Sequence, residues 1–190
     1  MPSESRRERA RAERRELIVR TARELAEAEG WEAVTTRRLA EQVDYSQPVL
    51  YGHFANMDAI AAAVALQGFE ELAVVLREGR AGDGLRGLAK AYLRYAEEHP
   101  AMYDAMFVRR TDLVFGATET PAVLRQAFAE ILAAVTPHVT TDAETATEVF
   151  WGALHGQATL NRGARMRPEH RQARADLLVD LFVVPAVDGG

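Results

Sequence analysis

Ser46, His53 and Asp58 are residue types that can assemble a hydrolytic triad, and they sit close together in the chain. Ser46 and His53 stand seven residues apart, however, and nothing around the serine resembles the sharp turn that exposes a catalytic nucleophile. The complete absence of cysteine removes disulfides, thiolate zinc sites and cysteine nucleophiles. The five histidines, at positions 53, 99, 138, 155 and 170, show neither close ligand spacing nor an adjacent carboxylate cluster, so no metal and no cofactor is expected. What remains is recognition chemistry. Ser46 and Gln47 place one short and one planar polar side chain side by side, the types that can reach a base edge from the N-terminal end of a helix in the major groove. Gln47 could pair with both edge atoms of an adenine, worth about 1–3 kcal/mol of discrimination, or be an ordinary solvated residue at a helix start.

Those side chains need elements to hold them. Residues 8–29 read as a helix, with Ile18, Ala22, Leu25 and Ala26 on one stripe and Gly30 as its stop. Val34-Thr35-Thr36 suits an extended connector, with Thr36 as N-cap of a short helix through Val43 that buries Leu39, Ala40 and Val43. Asp44-Tyr45-Ser46 is long enough only for a turn. Ser46 can then cap a third helix to Phe54, with Pro48 in its first turn, where a missing N–H costs nothing. Leu50 and Phe54 are its supporting core residues. Two short helices joined by a three-residue turn and backed by a longer one make a helix-turn-helix unit.

After it, Asn56 caps a helix from Met57 to about Arg77, and Gly79–Gly84 reads as a flexible break. Further helices are expected at about 85–98, 100–109, 121–135, 142–161 and 168–183, separated by Pro100, Gly116, Pro137 and Gly163 with Pro168. The fold class is all-α, with an N-terminal helix-turn-helix domain over residues 1–56 and a helical domain over 57–190. The first ten residues and the Asp188-Gly189-Gly190 tail should fray.

The run Thr35-Thr36-Arg37-Arg38-Leu39-Ala40-Glu41-Gln42-Val43, followed by Ser46 and Val49-Leu50-Tyr51-Gly52-His53-Phe54, resembles the DNA-binding domain of the TetR/AcrR family over roughly residues 15–65. The element Trp151-Gly152-Ala153-Leu154-His155-Gly156, together with His99-Pro100-Ala101-Met102-Tyr103, resembles the subgroup with a so-called WHG sensor domain. The resemblance implies a dimeric transcriptional regulator, usually a repressor, that binds double-stranded DNA at a palindromic operator and releases it on binding a small effector. It implies DNA contacts from Thr36, Arg37, Ser46, Gln47, Pro48, Tyr51 and His53; Thr36, Arg37, Tyr51 and His53 would meet phosphates, which fix register without reading sequence. Two positions depart from the family. Asp44-Tyr45-Ser46 stands where many members have Gly-Val-Ser, so Asp44 must take a backbone conformation that glycine reaches more easily. Met57 stands where members often carry a phosphate-touching lysine.

Between residues 69 and 155 the apolar positions are rich in aromatic rings and sulfur: Phe69, Tyr92, Tyr95, Met102, Tyr103, Met106, Phe107, Phe128 and Trp151. Such stripes can be plain core; with the resemblance they suggest a pocket for an apolar or aromatic effector, with Tyr95, Tyr103 and His155 as its polar anchors. His155, one turn after Trp151, can bond a ligand, satisfy a buried polar group or pack. The last two long helices carry apolar seams, from which Phe150, Leu154, Leu177, Leu178 and Leu181 are expected to form a four-helix dimer interface, as the resemblance implies.

Charge and composition agree with these expectations. Net charge is -5, but residues 1–55 hold ten arginines against ten acidic residues, leaving the remainder acidic. Six arginines lie between Arg6 and Arg15; they can reach along a DNA backbone or form a solvated face among their glutamates. No run of about 18 consecutive apolar residues occurs, so no membrane association is expected, and cytoplasm is the expected location. A helical protein-binding adaptor and, behind it, a helical enzyme are the alternative readings.

Overall fold

The computed structural model describes residues 2–109 and 111–183, and among these every regular element is helical. Asp188–Gly190 lies outside the described residues. The first helix, α1 (Pro2–Glu29), begins earlier than its apolar pattern predicts, so helix extends through the charged segment expected to fray. Its buried stripe is the expected Ile18, Ala22, Leu25 and Ala26, joined by Val19. It stops at Gly30, whose φ of 84° only glycine takes freely and whose N–H still reaches the Ala26 carbonyl at 2.8 Å.

A 3-10 turn (Trp31–Ala33) leads into α2 (Thr36–Gln42). Thr35, not Thr36, is its N-cap: Thr35 has extended dihedrals and its hydroxyl accepts from the Arg38 N–H at 3.3 Å. The tandem threonines offer two candidate caps, and the β-branched run stays extended one residue less than expected. Asp44 takes φ 55°, the left-handed conformation its position demands, and the Tyr45 N–H closes the helix end on the Ala40 carbonyl at 2.9 Å. The third helix, α3 (Gln47–Tyr51), has five residues and does not run to Phe54. Ser46 caps it through its backbone carbonyl, which accepts from the Val49 and Leu50 N–H groups at 3.0 and 3.3 Å, rather than through its side chain.

Asn56 caps α4 (Met57–Glu98) as expected, accepting from the Ala59 N–H at 2.8 Å. The expected break over Gly79–Gly84 narrows to Asp83 and Gly84, the latter at φ 52°. Chain direction reverses there. A straight helix would separate Gly79 and Gly87 by roughly 12 Å, yet a Cβ built on Gly79 would lie 2.7 Å from the Gly87 carbonyl oxygen. By length and composition α4 is apolar enough to cross a membrane, its most apolar 18-residue stretch having mean hydropathy 1.7 although polar residues interrupt it. Half of that stretch is buried, and Ile60, Val64, Phe69, Leu72 and Leu76 are core residues.

The remaining helices are α5 (Pro100–Phe107), α6 (Ala122–Val135), α7 (Ala143–Arg162) and α8 (Arg171–Phe182), the last preceded by a 3-10 turn at Pro168–His170. Packing divides the chain into two compact units, and the division does not follow the expected boundary after residue 56. The first unit joins the segment ending at Gly68 to His99–Thr120; the second joins Phe69–Glu98 to the segment from Pro121 onward.

In the first unit, the Glu27 carboxylate accepts from the Ala101 and Met102 N–H groups at 3.0 and 2.9 Å, and the Trp31 indole N–H donates to the Ala101 carbonyl at 2.8 Å. The end of α1 thus caps the start of α5, where Pro100 has no N–H and His99 makes no side-chain cap. Gly68 has no room for a Cβ, because the Met106 and Met102 sulfurs would lie 2.5 and 2.8 Å from it. In the second unit, Glu130 of α6 receives Arg77 at 2.8 Å and Arg80 at 2.7 Å, and Arg86 spans Asp176 and Asp180 of α8 at 2.7 and 2.6 Å. Phe150 meets Phe182 edge-on at 4.9 Å between ring centres.

Candidate nucleic-acid interface

Five residues are too few for a helix to hold itself in water, so α3 depends on its neighbours. Leu50 is its one buried side chain, 1% exposed, and plugs it into the core with Phe54. Ser46, Gln47, Pro48 and Val49 all face solvent, and Tyr51 is 56% exposed. A phenol and a glutamine standing proud of a small core have no structural use for that exposure, and their spacing presents donors and acceptors along one edge.

Thr36, displaced from capping by Thr35, turns its hydroxyl towards the Tyr51 hydroxyl at 3.5 Å. These two lie beside Asn56 and Met57 around a shallow notch in the surface. Arg37 is exposed and pairs one turn on with Glu41 at 2.9 Å. That pairing raises the guanidinium pKa through the Glu41 hydrogen bond, and a phosphate would have to compete for it. Arg38 is committed to Glu29 through two bonds of 2.8 and 2.7 Å, tying α2 to α1.

His53 differs from the other expected DNA residues. It is half-buried, and burial, followed by the charges of Arg11, Arg14 and Arg15, holds its pKa below the ordinary value. Burial and these three arginines thus disfavour the charged form of the ring. Its backbone carbonyl accepts from Arg15 Nη1 at 2.9 Å, and the Gly52 carbonyl accepts from Arg11 Nη2 at 3.3 Å. The Arg15 guanidinium also lies 4.0 Å from the centre of the Phe54 ring. Two arginines read from the sequence as a DNA-facing arm or a solvated face thus reach the chain immediately after α3. Their position in a basic run gave no signal of this; only the three-dimensional path of α1 past the end of α3 reveals it.

The residues expected to surround an effector do not all fall in one unit. Phe69, Tyr92, Tyr95, Phe128, Trp151 and His155 belong to the second, whereas Met102, Tyr103, Met106 and Phe107 belong to the first. In the first unit the methionine sulfurs lie against Gly68, and Tyr103 packs on Phe107 at 4.7 Å between centres. In the second, Trp151 Nε1 donates to the Tyr92 hydroxyl at 3.1 Å, and His155 lies 6.2 Å from the Trp151 ring, centre to centre. Burial lowers the His155 pKa below the ordinary value, favouring the neutral imidazole.

Among the residues expected at a subunit interface, Phe150 and Leu154 are fully buried within the second unit, and Leu178 is half-buried. Leu177 and Leu181 are 60% and 71% exposed, and Val149 and Leu160 of α7 are exposed beside them in type. A Cβ at Gly152 or Gly156 would meet nothing within 4 Å. The apolar periodicity of α7 therefore marked its inner face, and the outer face is the sparser one of Val149, Gly152, Gly156 and Leu160.

Residues 18–64 match the family described as bacterial regulatory proteins, tetR family, and residues 85–182 match the tetracyclin repressor-like, C-terminal domain. A helix-turn-helix transcriptional regulator from Mycobacterium tuberculosis is 32% identical over 149 residues, covering 75% of this chain and 67% of that protein. The tetracycline repressor protein class C from Escherichia coli is 51% identical over 51 residues, 27% of this chain and 23% of its own. The crystal structure of RolR in complex with resorcinol superposes with a TM-score of 0.65 at 19% identity, covering 95% of this chain and 92% of that one.

Proposed function

This chain belongs to the TetR family of transcriptional regulators, which are not enzymes, and from that premise we propose that it is a repressor that binds a palindromic operator as a homodimer and lets go when a small apolar or aromatic effector binds. The observation that carries the reading is the exposure of Ser46, Gln47, Pro48 and Tyr51 on a segment whose only buried side chain is Leu50. Gln47 reads a base; Thr36, Arg37 and Tyr51 hold phosphates; Ser46 and Pro48 shape the approach. His53 acts beside them as a neutral group. A protein that works on chromosomal DNA works in the cytoplasm.

Val149, Leu160, Leu177 and Leu181, with the open surface at Gly152 and Gly156, support a face that mates with its own copy, because small residues let helices approach closely. Phe150, Leu154 and Leu178 support that face from within. We put the effector site in the second unit, which holds Tyr95, Phe69 and Phe128 and where the Trp151 indole meets the Tyr92 hydroxyl with His155 beside it. RolR, of the same fold, was solved with the aromatic compound resorcinol. Release requires only that the effector favour one of two conformations; tenfold weaker DNA binding needs about 1.4 kcal/mol of differential affinity.

The test is fluorescence anisotropy of the purified protein with DNA from upstream of its own gene, at two salt concentrations and with random duplex as competitor. The expected result is specific binding that weakens with salt and is reversed by members of a panel of small aromatic compounds. Failure to bind any duplex would point instead to a protein-binding adaptor.

A further inference from the structure

Resting on the DNA-binding reading above, we propose that Arg15 is a positioning residue for base recognition: it fixes the angle of α3 through the His53 carbonyl and the Phe54 ring, with Arg11 as a second strut. The geometry carries this in three steps. First, Leu50 is the one buried side chain of α3 itself, so the tilt of α3 about that plug depends on what holds its two ends. Second, the turn after α3 is gripped from outside. The Phe54 N–H bonds the Leu50 carbonyl at 2.9 Å, Phe54 is 4% exposed, and the Arg15 guanidinium carbon lies over its ring, 4.0 Å from the centre, while Arg15 donates to the His53 carbonyl at 2.9 Å. Third, the grip comes from a helix that is itself fixed, because Ile18, Val19 and Ala22, within two turns of Arg15, are in the core.

A planar, multiply donating guanidinium can stack on a ring and bond a carbonyl at its edge with both groups held in one fixed geometry. Lysine offers the charge without the plane. The role is thus separable from the one that an arginine near DNA would ordinarily take, contact with a phosphate, because the two leave different signatures. A phosphate contact contributes equally to all duplexes and adds about one to the salt slope. A group that aims Gln47 contributes only where there is a base to be read.

The experiment compares wild type with Arg15→Lys and Arg15→Gln, measuring affinity for the operator and for random duplex across a salt series, with thermal unfolding alongside. Arg15→Lys is expected to weaken operator binding by about tenfold, the loss of one well-made base contact, while affinity for random duplex and the salt slope stay as in wild type. Arg15→Gln should lose the same operator preference. Equal weakening on both duplexes, with the slope of the glutamine variant lower by about one, would make Arg15 a phosphate contact and overturn the proposal. So would a lowered unfolding temperature with the operator preference intact. If wild type itself prefers no duplex, the regulator reading fails first, and that failure is visible before any variant is made.

Discussion

Two exposed surfaces of this protein differ in how they are held. The reading segment α3 is short, polar and braced from several sides, by Leu50 within, Thr36 beside Tyr51, and Arg15 at its end. The outer faces of α7 and α8 are longer and carry the exposed apolar residues Val149, Leu160, Leu177 and Leu181, with open space above Gly152 and Gly156, while α8 is held through Arg86 on Asp176 and Asp180 and Arg174 on Asn161. The difference follows from the partner each suits. Hydrogen bonds to a base edge fail when a donor is misplaced, so their support must be rigid. Apolar packing tolerates small shifts, so flatness and small residues suffice.

Breaking the apolar face should have the largest effect. Leu181→Glu is expected to give a monomer and to weaken operator binding by about 100-fold or more, since the second half-site is no longer tethered; sedimentation and anisotropy read the two effects. Breaking the polar face is more selective. Gln47→Ala should lower operator affinity by about 1–3 kcal/mol and leave random duplex unaffected, a result that equal loss on both would contradict.

A third change tests the support beneath the reading unit. Glu27→Ala leaves the Ala101 and Met102 N–H groups of α5 uncapped and should cost about 1–3 kcal/mol in chemical denaturation. The smallest effect is on pH dependence. His53 and His155 both have pKa values lowered in the fold, chiefly by burial, from an ordinary 6.5. The unfolded chain therefore takes up their protons first, so their contribution is fully present above pH 6.5 and is lost as pH falls below it. Unfolding midpoints measured between pH 8 and 5 should decline over that window, and His155→Gln should flatten the decline.

The same contrast separates what the sequence made legible. Around α3 the signals were local: Asp44 at a left-handed position, Pro48 in a first turn and Leu50 with Phe54 as the apolar anchors all act within a few residues, and all were readable. The cap assigned to Thr36 moved to Thr35 because two equivalent hydroxyl acceptors adjoin, and the residues after α3, read as its last turn, are held by arginines 41 and 38 positions away. In the second unit the aromatic stripe identified core-forming residues but not their distribution between two units, since periodicity says which side of a helix is buried and not against what. Phe150 and Leu154 show the limit most plainly: the apolar seam read from α7 includes them with no sign of which side it faces, and the fold buries both while Val149 and Leu160 stay exposed.

On the proposed function, two copies of α3 read DNA across a symmetric dimer. Selection from a pool of randomised duplexes, run with wild type and Gln47→Ala, tests it most directly. The account predicts an enriched inverted repeat for wild type, with half-site centres about one or a few helical turns apart, and loss of preference at one symmetric pair of positions for the variant. Enrichment of a direct or unpaired site, or an unchanged site in the variant, would contradict it.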